Sequence, residues 1–254
     1  MISRYKVWLN DVSLSEVDPS IYVSDISYNA VGRQYNTSRL AARSGSYSGD
    51  DYIGDNRTTV SFSIRKYSTQ QRQEILQSVI AWAVNGGWLK TSDRDLQRIY
   101  VRCTKLPTIN SVMRWTDNLT IEFTAYDFPY WQDEVPITVE LNKDDNAVVY
   151  MPYAFGVYVE AEITAGSALT DFEIVVGDTT LSFDDLSVSN GDVIKVVYSD
   201  DHHILGVSNG SLSLLNKRTA DSSDDLIATS GNNTVSFTTD GTAVCKLYFK
   251  GVYL

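Results

Sequence analysis

The chain has 254 residues, 43% of them hydrophobic and 21% charged, a composition that excludes a disordered protein. Its net charge of −11 at pH 7 argues against nucleic-acid binding, which requires a surface rich in cations. No apolar stretch approaches the roughly 18 residues that cross a membrane, and the N-terminus does not resemble a signal peptide.

The acidic excess lies entirely in the second half of the chain. Residues 1–134 hold 15 Lys+Arg and 15 Asp+Glu, and residues 135–254 hold the other 6 and 17. A neutral half can pack against copies of itself without strong repulsion, whereas an acidic half is expected to stay solvated. All five tryptophans fall in the neutral half, where they suit either a large core or an interface. We therefore predict two domains, residues 1–134 and 135–254.

Hydrophobic periodicity in the first half predicts strands around one helix. Alternating apolar residues indicate the strands, and Asn10-Asp11 is a turn signal between the first two. The strands are predicted over residues 5–9, 12–14, 22–28, 58–65, 99–103 and 119–125.

The helix is predicted to begin after Ser68, because Ser68 and Gln71 together form a capping-box pattern. From Ile75 to Ala83 apolar residues recur at helical spacing, which predicts one buried stripe packed on the sheet. Asn85-Gly86-Gly87 ends the helix, because glycine adopts the left-handed cap conformation readily.

A long polar stretch, residues 29–56, separates two of these predicted strands. It contains four glycines, and Arg33, Arg39, Arg43 and Arg57 lie within it or at its edge. Long connections in compact domains are usually functional or disordered. An extended arm that reaches a neighbouring molecule and a mobile surface loop are the two interpretations. No Lys-Ser or Lys-Thr follows the glycines, so the stretch is not a phosphate-binding loop.

The second half is predicted to be almost entirely β. Apolar and polar residues alternate from residue 157 to 163, and turn signals such as Asn190-Gly191 and Asn209-Gly210 recur along the chain. Many short strands separated by such turns are typical of a β-sandwich. The further strands are predicted over residues 172–176, 193–198, 204–207, 212–215, 235–238 and 244–249.

Motifs for catalysis or metal binding are missing from the sequence. The only two histidines lie side by side in Asp200-Asp201-His202-His203, which we interpret as a polar turn rather than a metal cluster. No Gly-x-Ser-x-Gly elbow is present, and adjacent acids such as Asp144-Asp145 are typical of solvated turns. Cys103 and Cys245 are predicted to be buried thiols. We therefore expect no enzyme activity, no metal and no cofactor.

Short segments of the first half, taken in order, resemble a known family. They are Val7-Trp8-Leu9-Asn10-Asp11-Val12-Ser13-Leu14, Ala81-Trp82-Ala83, Gly86-Gly87-Trp88-Leu89, Ser92-Asp93-Arg94, Arg98-Ile99-Tyr100-Val101, Trp115, the strand 119–125 and Pro129-Tyr130-Trp131. In order and spacing they resemble the distal tail proteins of long-tailed bacteriophages and their prophages, over about residues 5–134. The second half resembles the family less closely but fits its C-terminal domain.

The resemblance implies a mostly β fold, with an N-terminal β-sandwich or barrel-like ring domain that has one α-helix, followed by a C-terminal galectin-like β-sandwich. Six N-terminal domains would form a ring between the tail tube protein and the tail-tip hub protein, with DNA passing through the lumen. The C-terminal domains would carry receptor-binding or other peripheral proteins. The chain would be a virion component assembled in the bacterial cytoplasm, with no membrane partner and no specific recognition of nucleic acid.

Contacts between copies are expected from the arginines of the polar stretch and from tryptophans of the neutral half. The residues in question are Arg33, Arg39, Arg43, Arg57, Trp88, Trp115 and Trp131.

The main alternative function is a carbohydrate-binding module in the second half, used for attachment to the host surface. Saccharide platforms use exposed aromatic side chains. Tyr150, Tyr153 and Tyr158 lie close together in sequence, with Phe155 among them, although packing in a core is the other interpretation. A cell-wall hydrolase is the enzyme alternative, and the lack of histidine in residues 1–134 argues against it.

Overall fold

The computed structural model describes most of the chain, which divides into two compact units, Met1–Trp131 and Gln132–Tyr253. The division falls after residue 131, whereas the sequence predicts it after residue 134. For residues 33–38, 47–53 and 116–117 the backbone alone is described. The described residues are 3, 5–29, 33–38, 47–65, 68–107, 116–126, 128–152, 155–200 and 204–253.

The first unit is mostly β, with two α-helices among its described residues. The helices are α1 (Leu14–Val17) and α2 (Thr69–Ala83). The strands are β1 (Val7–Leu9), β2 (Val12–Ser13), β3 (Ile21–Asn29), β4 (Arg33–Ser38), β5 (Tyr47–Ile53), β6 (Asn56–Ile64), β7 (Gly87–Thr91), β8 (Arg94–Lys105), β9 (Thr116–Ala125) and β10 (Trp131–Asp133), which begins at the last residue of the unit.

One antiparallel sheet, in the order β2-β1-β7-β8-β9-β6-β3, forms the body of this unit. Its strands alternate buried and less buried residues, so one face forms the core. Helix α2 covers that face, and the Trp82 ring meets the Phe123 ring edge-on at 6.1 Å between centroids. The sheet also curls, which brings its edge strand β3 close to β7: the Tyr28 hydroxyl on β3 lies 2.8 Å from the Thr91 hydroxyl on β7. This curled sheet, covered on one face by α2, confirms the predicted barrel-like domain.

The first hairpin is confirmed, but the number of helices is not. Asn10 and Asp11 both have positive φ angles, 50° and 65°, as a two-residue hairpin turn requires. The predicted return strand stops at Ser13, where a second, short helix begins. Ser13 and Glu16 form the capping box of that helix, with the Ser13 N–H donating to Glu16 Oε2 at 3.0 Å. At Ser68 the predicted capping box is wrong, because its side chain makes no cap hydrogen bond.

Strands β4 and β5 fall within the polar stretch and pair only with each other among the described strands. They run antiparallel, from Arg33 opposite Ile53 to Ser38 opposite Tyr47. They leave the main sheet where β3 ends and β6 begins, at the pair Asn29 and Arg57. The stretch therefore contains a β-hairpin, which we call the hairpin arm.

The second unit is an antiparallel sandwich of two sheets, as predicted. One sheet has the order β11-β21-β13-β16-β17-β18, with β19 beside β13, and the other has the order β12-β20-β14-β15. Alternate residues of both sheets, such as Val159 and Phe237, are fully buried. The strands are β11 (Ile137–Asn142), β12 (Asp145–Met151), β13 (Val157–Ala165), β14 (Phe172–Val176), β15 (Thr179–Phe183), β16 (Val193–Tyr198), β17 (Leu205–Asn209), β18 (Leu212–Ser213), β19 (Ile227–Ala228), β20 (Gly231–Thr239), β21 (Ala243–Phe249) and β22 (Val252–Tyr253). Among the described helices, none has the length and apolarity needed to cross a bilayer.

Candidate functional site

Two of the residues predicted at contacts between copies lie on the same face of the first unit's sheet. Strand β7 buries Gly87, Leu89 and Thr91 toward the core, so Trp88 points to the opposite side and is half-buried. On β6, Val60 faces the core and the exposed Arg57, three residues away, faces outward. This outward face is not covered by α2.

The register of the neighbouring strands places further side chains beside Trp88 and Arg57. Tyr100 on β8 lies directly opposite Trp88. Arg102, two residues along β8, lies opposite Thr124 of β9, and Thr124 in turn lies opposite Arg57. Together with Arg98 these side chains form what we call the arginine–tryptophan face: Arg57, Trp88, Arg98, Tyr100 and Arg102.

The aromatic and cationic groups of this face hold one another in place. The guanidinium carbon of Arg98 lies 4.2 Å from the centroid of the Trp88 ring, a cation–π contact. Trp88 and Tyr100 meet edge-on, with centroids 5.5 Å apart and planes at 78°. Tryptophan, tyrosine and arginine are the residues most enriched where binding energy concentrates in protein interfaces. The face therefore has the composition and order of an interaction surface.

The three arginines of the face have no acidic partner among the described residues. No described carboxylate lies within ion-pair distance of Arg57, Arg98 or Arg102, although ion pairs occur elsewhere in the chain. Arg98 Nε is also buried without a hydrogen-bond partner in the described structure. Guanidinium groups bind carboxylates through paired hydrogen bonds. The arrangement can therefore bind a carboxylate brought by another molecule.

An irregular segment of β8 presents an apolar side chain beside this face. The register of β7 and β8 shifts between Leu89 and Thr91, and the extra residues of β8 include Leu96, which is 69% exposed. Arg94 anchors the start of the segment: its guanidinium carbon lies 5.0 Å from the Tyr28 ring centroid and 4.9 Å from the Trp131 ring centroid. A bulge fixed in this way displays Leu96 in a defined position.

Trp131, predicted at a contact between copies, lies in the interior instead. Its side chain is 0% exposed and meets the Tyr28 ring edge-on at 5.6 Å. Burial, and then the hydrogen bond that the Tyr28 hydroxyl donates to Asp93 at 2.6 Å, raise the pKa of Tyr28. Trp131 thus supports the core and the Arg94 anchor, and its side chain is not available to a neighbouring copy.

The other predicted contact residues belong to parts of the chain described incompletely or not at all. Arg33 is the first residue of β4, at the start of the hairpin arm, and only its backbone is described. Arg39, Arg43 and Trp115 lie outside the described residues. Sequence reasoning missed Arg98, Tyr100 and Arg102 as one group, although the alternation Arg-x-Tyr-x-Arg along a predicted strand is a signal that they share a face.

The tyrosines predicted to bind saccharide do not converge in the second unit. Tyr150 lies on β12 and is 65% exposed, whereas Tyr158 lies on β13 of the other sheet and is half-buried. Tyr158 packs against Tyr198 at 4.8 Å between centroids. The Leu226 N–H donates to the Tyr198 hydroxyl at 2.8 Å, and burial raises the pKa of Tyr198. Tyr153 lies outside the described residues.

An open groove of about 460 Å³ lies in the second unit near the start of β17. At its edge Arg218 Nη2 donates to Asp224 Oδ1 at 2.8 Å. Burial and the neighbouring Asp224 raise the pKa of Asp225. The groove therefore carries an internal ion pair and one further acid. Its lining residues are Ile204, Leu205, Leu215, Arg218, Asp224 and Asp225.

Metal-binding groups do not cluster in the described part of the chain. No group of three or more His, Cys, Asp or Glu side chains there is arranged to hold an ion. His202 and His203 lie outside the described residues. Of the two thiols, Cys245 is fully buried as predicted, and Cys103 is half-buried.

Similarity to known proteins is found in structure rather than in sequence. No protein-family model matches the chain, and no curated protein matches it either. The crystal structure of the SPP1 Dit (gp 19.1) protein, "a Paradigm of Hub Adsorption Apparatus in Gram-positive Infecting Phages", is similar with a TM-score of 0.73 and 11% sequence identity, over 98% of this chain and 99% of that chain. A chain of the phage p2 baseplate in its activated conformation with Sr is similar with a TM-score of 0.52 and 10% identity, over 98% of each chain.

These likenesses concern the fold. They cover both units, and they confirm the predicted fold class, in which a mostly β first unit is followed by a β-sandwich. The resemblance to distal tail proteins is confirmed at the level of the fold, by structures whose sequences share about a tenth of their residues with this chain.

Proposed function

We propose that this chain is a structural protein of a bacteriophage tail tip, a distal tail protein that acts by assembly and not by catalysis. The observation that carries the proposal is the similarity to SPP1 Dit across 98% of the chain, both units included. A fold shared over both units is a stronger argument than a shared single domain, because the order of units is shared as well. Function does not follow from fold alone, so the surface of the first unit supplies the second argument.

In this proposal six first units form a closed ring between the tail tube protein and the tail-tip hub protein, and DNA passes through the lumen. Three features support self-association. Residues 1–134 carry no net charge, the hairpin arm pairs with no other described strand, and the arginine–tryptophan face is open to a partner. Unpaired strand edges and Trp–Arg clusters are both common means of joining subunits.

The second unit serves in this proposal as a platform for peripheral or receptor-binding proteins. The whole net charge of −11 resides in residues 135–254, which keeps such a platform solvated. The protein would be assembled in the host cytoplasm and would remain part of the virion. The carbohydrate-binding alternative receives no support from Tyr150 and Tyr158, since they lie on different sheets.

The mass of the purified protein in solution, measured by light scattering after size exclusion, tests the proposal. We expect six times the 28.4 kDa of one chain, and a ring visible by negative-stain microscopy. Because closure can depend on the neighbouring tail component, the measurement is repeated with the tail tube protein of the same phage. A chain that remains monomeric in both experiments contradicts the proposal.

A further inference from the structure

We propose that the arginine–tryptophan face of one copy binds the acidic second unit of a second copy of this chain. The inference rests on the proposed ring, because it identifies what one surface of that ring contacts. The unpaired arginines, the neighbouring apolar side chain and the distribution of charge between the two units support it.

The face requires an anionic partner. Arg57 and Arg102 are exposed and Arg98 is half-buried, and none of the three forms an ion pair with a described carboxylate. Arg98 is the most constrained, because its position over Trp88 leaves its buried Nε without an acceptor. A buried donor without a partner is unfavourable, so a carboxylate or carbonyl oxygen from outside would improve the free energy of this site.

A protein fits this face better than a nucleic acid. Protein surfaces that bind single-stranded nucleic acid offer open aromatic rings on which the bases stack. Here Arg98 covers one face of the Trp88 ring, and Tyr100 meets Trp88 edge-on. The neighbouring Leu96 is 69% exposed, and an apolar side chain in that position favours contact with protein over contact with phosphates. An aromatic and arginine centre next to an apolar side chain is typical of a protein–protein hot spot.

The geometry of a ring then restricts which part of the second copy is bound. Subunits of a cyclic ring meet through two different surfaces, so a cationic face at the contact between copies would meet a different, complementary surface on the next copy. Residues 1–134 have no net charge, whereas residues 135–254 hold 17 acidic and 6 basic residues. The second unit is thus the part of the chain with the opposite charge.

Crosslinking between isotopically distinct copies tests which unit is bound. The photoreactive amino acid p-benzoylphenylalanine takes the place of Leu96, which is largely exposed, and ¹⁴N-labelled and ¹⁵N-labelled full-length chains are mixed before irradiation. We expect crosslinked peptides of mixed isotope whose partner lies within residues 135–254. Crosslinks between copies that map only to residues 1–134, or crosslinks within one copy only, would overturn the inference.

Charge reversal provides a second and independent measurement. Arg102 is exposed and forms no ion pair with a described carboxylate, so the R102E variant should fold as the wild type does, which circular dichroism checks. We expect R102E combined with R98A to raise the protein concentration at half-assembly at least tenfold in 0.15 M salt. The R65A variant is the control, because Arg65 lies over Tyr22 at 4.4 Å, outside this face.

The outcomes separate this inference from the proposed ring. If the wild type and the R98A/R102E variant assemble equally well, the ring stands and the inference fails. If the variant assembles normally but loses binding to a short DNA duplex that the wild type retains, the face binds a polyanion and the inference also fails. If the wild type does not assemble even with the tail tube protein, both proposals fail.

Discussion

Asn10 shows how a single turn residue connects separate parts of the first unit. Its Nδ2 donates to the Gly86 carbonyl oxygen at 3.1 Å, and its Oδ1 accepts from the Trp88 N–H at 2.9 Å. Gly87, between those two residues, has a φ of 130° and leaves no room for a side chain, because a Cβ there would lie 2.1 Å from Asn10 Oδ1. The amide therefore holds the first hairpin against the segment where β7 begins, next to the arginine–tryptophan face.

Replacing Asn10 with alanine should reduce the free energy of unfolding of the first unit by about 3 kcal/mol. Two hydrogen bonds contribute about 1 kcal/mol each, and a left-handed alanine adds about 1 kcal/mol of strain. Chemical denaturation measures the change. The D11G variant is the matched control, because Asp11 also has a positive φ, of 65°, and glycine should leave stability equal or slightly higher. Equal losses in N10A and D11G would contradict the side-chain argument.

Cys245 provides a prediction about alkaline pH in the second unit. Burial raises the pKa of this thiol from 9.0 to about 12. The unfolded thiol ionises near pH 9 and the folded one does not, so the stabilisation present below pH 9 is lost as the pH rises toward 12. The loss approaches about 1.4 kcal/mol per pH unit from this group alone.

The C245A variant should therefore lose stability less steeply than the wild type between pH 9 and 12, the interval set by the two pKa values. Urea denaturation at several pH values measures the slope. The C103A variant is the control, because Cys103 is half-buried and burial raises its pKa without isolating it from solvent. A slope unchanged by C245A would show that other groups, such as the buried Tyr198, dominate alkaline unfolding.

At the scale of elements, the two helices of the first unit differ in how they begin. Ser13 caps α1 and Glu16 returns a bond to the Ser13 N–H, whereas the Ser68 side chain makes no cap hydrogen bond at α2. We expect S13A to lower the free energy of unfolding by about 1 kcal/mol and S68A by only a few tenths. Thermal denaturation of both variants, measured side by side, checks this. A larger loss in S68A than in S13A would refute the comparison.

The same pair of serines shows what a sequence pattern can and cannot predict. Apolar spacing from Ile75 to Ala83 locates α2 correctly, because burial on the sheet determines that helix. The pattern at Ser68 names the right N-cap residue, but hydrogen bonding of its side chain depends on a rotamer that spacing does not determine. Helix α1 has only four residues, too few for any periodic signal to appear.

Several strands of the second unit agree with their predicted bounds, and others were not predicted. Strands β14 and β16 match the predicted 172–176 and 193–198, since each alternates buried and less buried residues. Strands β11 and β12 were not predicted. In β11 the apolar residues alternate, but only Leu141 is buried, and in β12 residues 147–151 form an apolar run without alternation. The arginine–tryptophan face was missed for another reason, because Arg57 and Arg102 come from β6 and β8 and only strand register brings them together.

At the scale of the whole molecule, the two units should respond differently to salt and acid because their charges differ. Like charges within residues 135–254 repel one another at pH 7, and salt screens this repulsion. Each unit has a buried core of its own, so calorimetry should resolve two transitions. The C245A and S13A variants assign the two transitions, since C245A should shift the transition of the second unit and S13A that of the first.

Several aspartates of the second unit should make that unit sensitive to acid. Hydrogen bonds from the Asn142 backbone and side chain lower the pKa of Asp145, and those from the Thr170 hydroxyl and N–H lower the pKa of Asp240. The Lys217 ammonium group lowers the pKa of Asp185, and the Ser189 N–H with the Asn209 amide lowers that of Asp192. Their stabilising effect is present above the unfolded pKa of 3.8 and is lost as the pH falls below it.

Two opposed effects therefore determine how the melting temperature of the second unit depends on pH. Between pH 7 and about 4.5, partial protonation of ordinary carboxylates reduces repulsion and should raise the melting temperature slightly. Below pH 3.8 the hydrogen-bonded aspartates are protonated in the unfolded chain, while their lowered pKa values keep them ionised in the folded one, and the melting temperature should fall. Added salt separates the two effects, because it should raise the melting temperature more at pH 7 than near pH 4.5, where the net negative charge is smaller. A first unit that responds to salt as strongly as the second would mean that charge segregation does not control their stability.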